Sequence, residues 1–158
     1  MSRTNYAWDS SVFIAWLAEE KTAPLGNIDM VVREIDGGRA NLIFSVVTYT
    51  EILESKYSEK QLAQLDAFLR RSNVIKVDIT IPVAKKAAAI RNAGWNEDRK
   101  IKTPDALILA VALLHKADVL HALDGGMRNL NGHKIVDGLV INEPFLRSGE
   151  RSLFDNPS

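Results

Sequence analysis

A chain of 158 residues suits a single domain. Apolar residues make up 46% and charged residues 25%, as in an ordinary soluble globular protein, and 20 basic side chains balance 20 acidic ones. Any nucleic-acid binding must therefore come from a local patch rather than a global field. The lack of cysteine excludes disulfides and thiolate zinc sites, and His115, His121 and His133 show no paired ligand spacing. No apolar run reaches the roughly 18 residues of a membrane span, and the start lacks the apolar core of a signal peptide. A cytoplasmic protein without a membrane partner is expected.

"NYAWD" (5–9) predicts a short strand and "SSVFIAWLAEE" (10–20) a helix. After a break around Pro24, "LGNIDMVVREID" predicts a second helix, stopped by Gly37-Gly38. "NLIFS" (41–45) is an apolar strand leading into "VTYTEILESK", whose apolar residues recur at helical spacing. Ser58 and Gln61 form a capping-box pattern that opens "EKQLAQLDAFLRR". "VIKVDI" (74–79) is the third strand; Thr80 and Pro82 begin a helix that ends at Gly94. A polar loop, "WNEDRKIK" (95–102), precedes Thr103, an expected N-cap, and Pro104, a favoured first helical residue. "DALILAVALL" is apolar on nearly every side and should be deeply packed.

"DVLHAL" (118–123) is the fourth strand, and "HKIVD" with "LVIN" adds one or two more. Residues 1–142 thus form one domain and 143–158 a weakly patterned C-terminal arm. Strands alternating with helices indicate an α/β fold, with a mainly parallel sheet of four to five strands covered on both faces. Trp8 and Trp16 are assigned to the core.

Four carboxylates break the apolar pattern. Taken singly, each has a structural explanation. Asp9 can N-cap the first helix, and Glu51 can complete a capping box with Thr48. Asp105 complements a helix dipole in a first turn, and Asp124 opens an Asp-Gly turn. Taken together they converge. In a parallel α/β sheet, strand C-termini and the N-termini of the following helices share the edge where ligands bind. Asp9 and Asp124 should end strands there, with Glu51 and Asp105 in first helical turns beside them. Four such charges repel one another unless a cation sits among them, and all-oxygen donors suit Mg²⁺ or Mn²⁺.

Four stretches in this order, "WDSSVFI", "SVVTYTEIL", "PDALILAVAL" and "LHALD", resemble the PIN-domain ribonuclease family, which includes toxins of the VapC type. The resemblance covers roughly residues 5–130. It implies a PIN-like three-layer α/β/α sandwich and a nuclease metal site of Asp9, Glu51, Asp105 and Asp124. It also implies Ser10 and Ser45 as small polar supports, an RNA substrate, a homodimer, and a small antitoxin partner. Ala122 departs from the family pattern, which has Thr or Ser two residues before the last Asp. Met127 and Arg128 stand near the place of a usual aromatic residue.

The chemistry expected is hydrolysis of RNA phosphodiester bonds. Asp9, Asp105 and Asp124 would coordinate the metal, and Glu51 would be ligand or base. Arg99, Lys100, Lys102 and Arg128 flank the acids and can contact phosphates, although Glu97 and Asp98 also make 95–102 readable as a solvated charged loop. Trp95 can stack on a base, but an isolated Trp is expected to pack. Two other classes compete. A phospho-accepting receiver would carry adjacent acids after its first strand and a late Lys-Pro pair; here Ser10-Ser11 follow Asp9 and no Lys-Pro occurs. A binding module that has lost catalysis is opposed by the intact acids and favoured by Ala122.

Overall fold

Along the central strands, consecutive side chains enter different layers of the core, as the two-residue period of a strand requires. A computed structural model describes residues 3–147. It runs through β1 (Thr4–Trp8), α1 (Ser10–Ala18), α2 (Leu25–Asp36), β2 (Ala40–Ser45), α3 (Val46–Leu53), α4 (Glu59–Leu69) and β3 (Val74–Val77). There follow α5 (Ile81–Trp95), α6 (Thr103–Leu114), β4 (Val119–His121), α7 (Gly125–Arg128), a 3₁₀ turn (Lys134–Val136) and β5 (Val140–Asn142). The five strands pair in the order β3-β2-β1-β4-β5, with every pairing parallel.

Tyr6, Trp8, Leu42 and Phe44 pack on one face with residues of α1, α2 and α4, while Ala7, Ile43, Leu120 and Ile141 pack on the other with α5 and α6. This is the expected α/β/α sandwich. Both faces are covered, as parallel sheets require. From β1 the chain builds outward through β2 and β3, then returns to place β4 on the far side of β1. The reversal makes the gap between the carboxyl ends of β1 and β4 the topological switch point.

Aromatic packing fixes the end of β1 beside that gap. Trp8 meets Phe13 edge-on at 5.0 Å, and Phe13 meets Phe44 edge-on at 5.3 Å. Each such pair adds about 0.5–1.5 kcal/mol beyond the burial itself. Trp8 also donates from Nε1 to His121 Nδ1 at 3.1 Å, tying β1 to β4 in the interior. Burial pushes the His121 pKa down to about 3, so the imidazole is neutral and able to accept that bond. Trp8 is fully buried as expected; Trp16 is only half-buried, with its ring against Phe68 at 5.1 Å.

Several local expectations are corrected. Residues 133–137 do not form a strand. The His133 ring caps the 3₁₀ turn by accepting from Ile135 N–H at 3.0 Å, and Asp137 and Gly138 then take positive φ, which ends any extension. The capping box on Glu51 is also absent, because α3 starts earlier: Ser45 is its N-cap, accepting from Val47 N–H at 3.2 Å, and Glu51 falls in the second turn. Thr103 is the first residue of α6 rather than its cap; Lys102 holds the cap position without a side-chain bond. β4 stops at His121, so Asp124 lies beyond the strand. The helix expected to end at Gly94 includes it, and α5 runs on to Trp95. Among the described residues no helix is long and apolar enough to cross a membrane.

Candidate active site

Asp9 follows β1 at the switch point. It N-caps α1, accepting from the Ser11 backbone N–H at 3.0 Å and from the Ser11 hydroxyl. Only 5% of the residue is exposed. That burial is the main reason its pKa is pushed up to about 6; the Ser11 bonds oppose the rise, and the charges of Asp105 and Asp124 add to it. A deeply placed carboxylate with two acidic neighbours is costly to ionise without a cation.

Glu51 is half-buried on α3. Its pKa is raised by burial, lowered by a hydrogen bond with Ser10, and raised again by Asp105 and Glu54. Glu51 Oε1 is buried without a hydrogen-bond partner, an arrangement proteins rarely leave uncompensated. Asp105 lies in the first turn of α6, raised by burial and then by the charge of Asp124, with Lys102 opposing. Asp124 is exposed and N-caps α7, accepting from Met127 N–H at 3.1 Å. The structure thus brings the four predicted acids to one rim, where Asp105 feels or exerts charge on each of the other three and Asp9 also feels Asp124.

The donors are all hard oxygens, which suits Mg²⁺ or Mn²⁺. As placed, no three acidic or histidine side chains among the described residues meet as a ready ligand set. An open rim of this kind fits a hydrated Mg²⁺, which keeps several waters and takes one or two carboxylates. The buried Glu51 Oε1, without a protein hydrogen-bond partner, fits such an ion as a further oxygen donor.

The predicted supports divide. Ser10 bonds Glu51, whereas buried Ser45 serves as a helix cap. Ser11, which the sequence reading passed over, does more than either: its hydroxyl bonds Asp9 and accepts from Leu123 N–H at 3.0 Å. One side chain thereby couples Asp9 to the segment that carries Asp124. The only available signal was its place two residues after an Asp at a helix start, where Asx turns form.

The predicted cations divide as well. Arg99, Lys100 and Lys102 line a hollow of 330 Å³ together with Asp105 and Asp124. Arg99 is partly committed there, donating from Nη1 to the Asn129 carbonyl at 3.1 Å. Arg128 faces a different depression with Glu143, Pro144 and Phe145, and pairs with Glu143 at 3.4 Å. Glu97 turns away from the lysines to meet Lys134 at 2.7 Å and His133 at 3.1 Å. Gly94 lets the 96–102 loop close in: a Cβ there would lie 2.7 Å from the Arg99 carbonyl oxygen. Trp95 does not pack as expected; it is 55% exposed. Ala122 is fully buried in the layer covered by α5 and α6.

A parallel α/β/α sandwich with acidic side chains gathered at its switch point defines the class. The PIN-domain family model matches residues 6–132, and the chain belongs to that family. Among solved structures, it resembles VapBC2 from Rickettsia felis bound to a DNA fragment from its promoter, with 17% identity over 88% of this chain and 98% of that one, at a TM-score of 0.63. DNA-bound VapBC from Salmonella typhimurium matches with 17% identity over 89% and 98%, at a TM-score of 0.62. FitAcB from Neisseria gonorrhoeae matches with 19% identity over 88% and 97%, at 0.58. At these identities the likeness is one of fold. Among curated proteins, none matches the chain significantly.

Proposed function

We propose that the protein is a Mg²⁺- or Mn²⁺-dependent endoribonuclease that hydrolyses RNA phosphodiester bonds, and the toxin of a type II toxin–antitoxin pair. The observation that carries this reading is the placement of Asp9 after β1, Asp105 in the first turn of α6 and Asp124 after β4, with Glu51 Oε1 buried and without a hydrogen-bond partner. Membership of a nuclease family supports the hydrolytic chemistry.

Asp9, Asp105 and Asp124 would hold the cation, and Glu51, with its partnerless oxygen, would act as ligand or proton acceptor. A divalent ion there supplies water activation and polarisation of the phosphoryl oxygen. Ser11 keeps Asp9 and the Asp124 segment in register. Lys100 and Lys102, exposed and lining the same hollow, neutralise substrate phosphate, and Arg99 holds their loop against α7. Arg128 would meet phosphate further from the rim, in competition with Glu143.

The toxin–antitoxin complexes among the structural neighbours support a small antitoxin protein as partner. A cytoplasmic homodimer completes the proposal. A second reading, a PIN-like RNA- or protein-binding module with weak catalysis, draws on Ala122, which supplies no hydroxyl where the family has one. Incubating purified protein with RNA in Mn²⁺ and in chelator separates the two. Cleavage that requires the metal and disappears in Asp9→Asn supports the nuclease; RNA binding without cleavage supports the module. Co-purification with the product of an adjacent short reading frame, together with suppression of cleavage, tests the toxin assignment.

A further inference from the structure

The hollow beside the acidic rim has a floor that metal and phosphate chemistry does not explain. Asp105, Asp124, Lys100 and Lys102 line it together with three apolar residues, Ile101, Met127 and Leu130. These three are 7%, 1% and 4% exposed, so they are fixed parts of the core. The volume of 330 Å³ lies at the lower end of the range for small-ligand sites, about 300–1,000 Å³. The walls are braced by the Arg99–Asn129 bond and by the tight approach of the loop to Gly94. Asn129, exposed, also lines the hollow, and its side chain has no partner among the described residues.

We infer that this hollow receives one unpaired nucleobase, next to the scissile phosphate, and that Asn129 determines which base is preferred. The inference rests on the nuclease reading and extends it to a specific subsite. Ile101, Met127 and Leu130 give the hollow a fixed apolar back, and the edge of a base presents donors and acceptors that Asn129 can meet. A side-chain amide both donates and accepts, so it can match one edge pattern and leave another unpaired. A phosphate attached to that base would lie against the carboxylate rim, beside Lys102. A stacked base pair cannot enter, because its faces are covered and its edges engaged, so single-stranded segments are the substrates.

The test is cleavage of a short oligoribonucleotide pool with a randomised centre, in Mn²⁺, with the cut positions counted. Wild type should favour one base beside the cut, and annealing the substrate into a duplex should suppress cleavage. Asn129→Ala should flatten the preference, measured as the ratio of kcat/KM values between best and worst base, by about tenfold or more. A second readout needs neither metal nor turnover: nucleoside monophosphates should shift the methyl resonances of Met127 and Leu130, with the favoured base binding tightest. Metal-dependent cleavage without a base preference, or with a preference untouched by Asn129→Ala, overturns the inference and leaves the nuclease reading standing. Absence of metal-dependent cleavage of any RNA removes both.

Discussion

The two halves of the acidic rim are built in opposite ways. Asp9 and Glu51 sit on the side packed against the aromatic core, one nearly inaccessible and the other half-buried, and each is held by a serine hydroxyl. Asp105 and Asp124 border an open hollow that Lys100 and Lys102 also line. Burial dominates the inner pair: their carboxyls are pushed up chiefly because water is excluded. In the outer half Asp105 is likewise raised first by burial and then by the charge of Asp124, with Lys102 opposing. What separates the halves is anchoring: serine hydroxyls hold the inner acids, whereas the outer acids border a hollow open to a ligand. Preorganised charge on a rigid element beside an open face is the division that phosphoryl chemistry uses.

The largest test strikes the inner half. Asp9→Asn keeps an oxygen for the Ser11 N–H but removes the charge, and cleavage should fall by more than about a hundredfold. Stability should move the other way. Asp9 ionises near the ordinary 3.8 in the unfolded chain and near 6 in the native metal-free protein. Between those values the native state keeps a proton that the unfolded chain has released, so this contribution falls as pH rises through 6. The shift corresponds to roughly 3 kcal/mol lost between pH 4 and neutrality. In EDTA at neutral pH the Asn variant should melt above wild type, and the gap should close as pH approaches 4. A gap independent of pH would place the gain elsewhere.

Ser11 joins the two halves, and its removal should cost less than the loss of a carboxylate. Ser11→Ala strips Asp9 of a hydroxyl donor and leaves Leu123 N–H unmatched. Support groups around metal ligands contribute about 10–100-fold in affinity or activity, and a loss in that range is expected. Mn²⁺ affinity should fall in parallel. Ser11→Thr, which retains the hydroxyl, should recover most of both. Equal losses in Thr and Ala variants would assign Ser11 to packing alone.

The difference between the halves also explains what could be read from the chain. The inner strand ends were legible because β1 and β2 are apolar runs followed by helix starters, and a parallel sheet brings such junctions to one edge. Asp9 and Asp105 stand where that topology put them, while Glu51 falls a turn later in α3 and Asp124 lies beyond the end of β4. What escaped was decided by contacts between distant segments. Ser11 matters through Leu123, more than a hundred residues away, and Arg128 is drawn toward Glu143. Residues 133–137 looked extended by composition, but a histidine cap and two positive-φ residues turned them. The expectation of a C-terminal arm at 143–158 falls mostly outside the described residues.

On the outer half, Asp105 tests whether like-charge crowding outweighs the helix dipole. If Asp105 only complements α6, replacing it with Asn forfeits about 0.3–1 kcal/mol in any buffer. Its raised pKa, set by burial and by Asp124, points the other way. The Asn variant should melt above wild type in EDTA at low salt, where repulsion is least screened. Mn²⁺ at ten times its dissociation constant stabilises a binding protein by about 1.4 kcal/mol. Most of that gain should be missing from the variant, so the order of melting should reverse on titration.

The smallest effects lie on the cationic wall, and they divide residues that look equivalent in the chain. Lys100 and Lys102 are exposed beside the rim, whereas Arg128 is engaged by Glu143. A lysine that neutralises a phosphate contributes about 0.7 to the slope of log affinity against log salt on single-stranded RNA. Lys100→Gln and Lys102→Gln should each flatten that slope by about this amount, measured by fluorescence anisotropy with Asp9→Asn protein to prevent cleavage. Arg128→Gln should flatten it less, because Glu143 already offsets much of that charge. Removing the competitor with Glu143→Gln should then steepen the slope, provided Arg128 reaches RNA at all. If Glu143→Gln leaves the slope unchanged while both lysine variants flatten it, the phosphate path runs only over the loop wall, and Arg128 serves to hold α7 against the segment after β5.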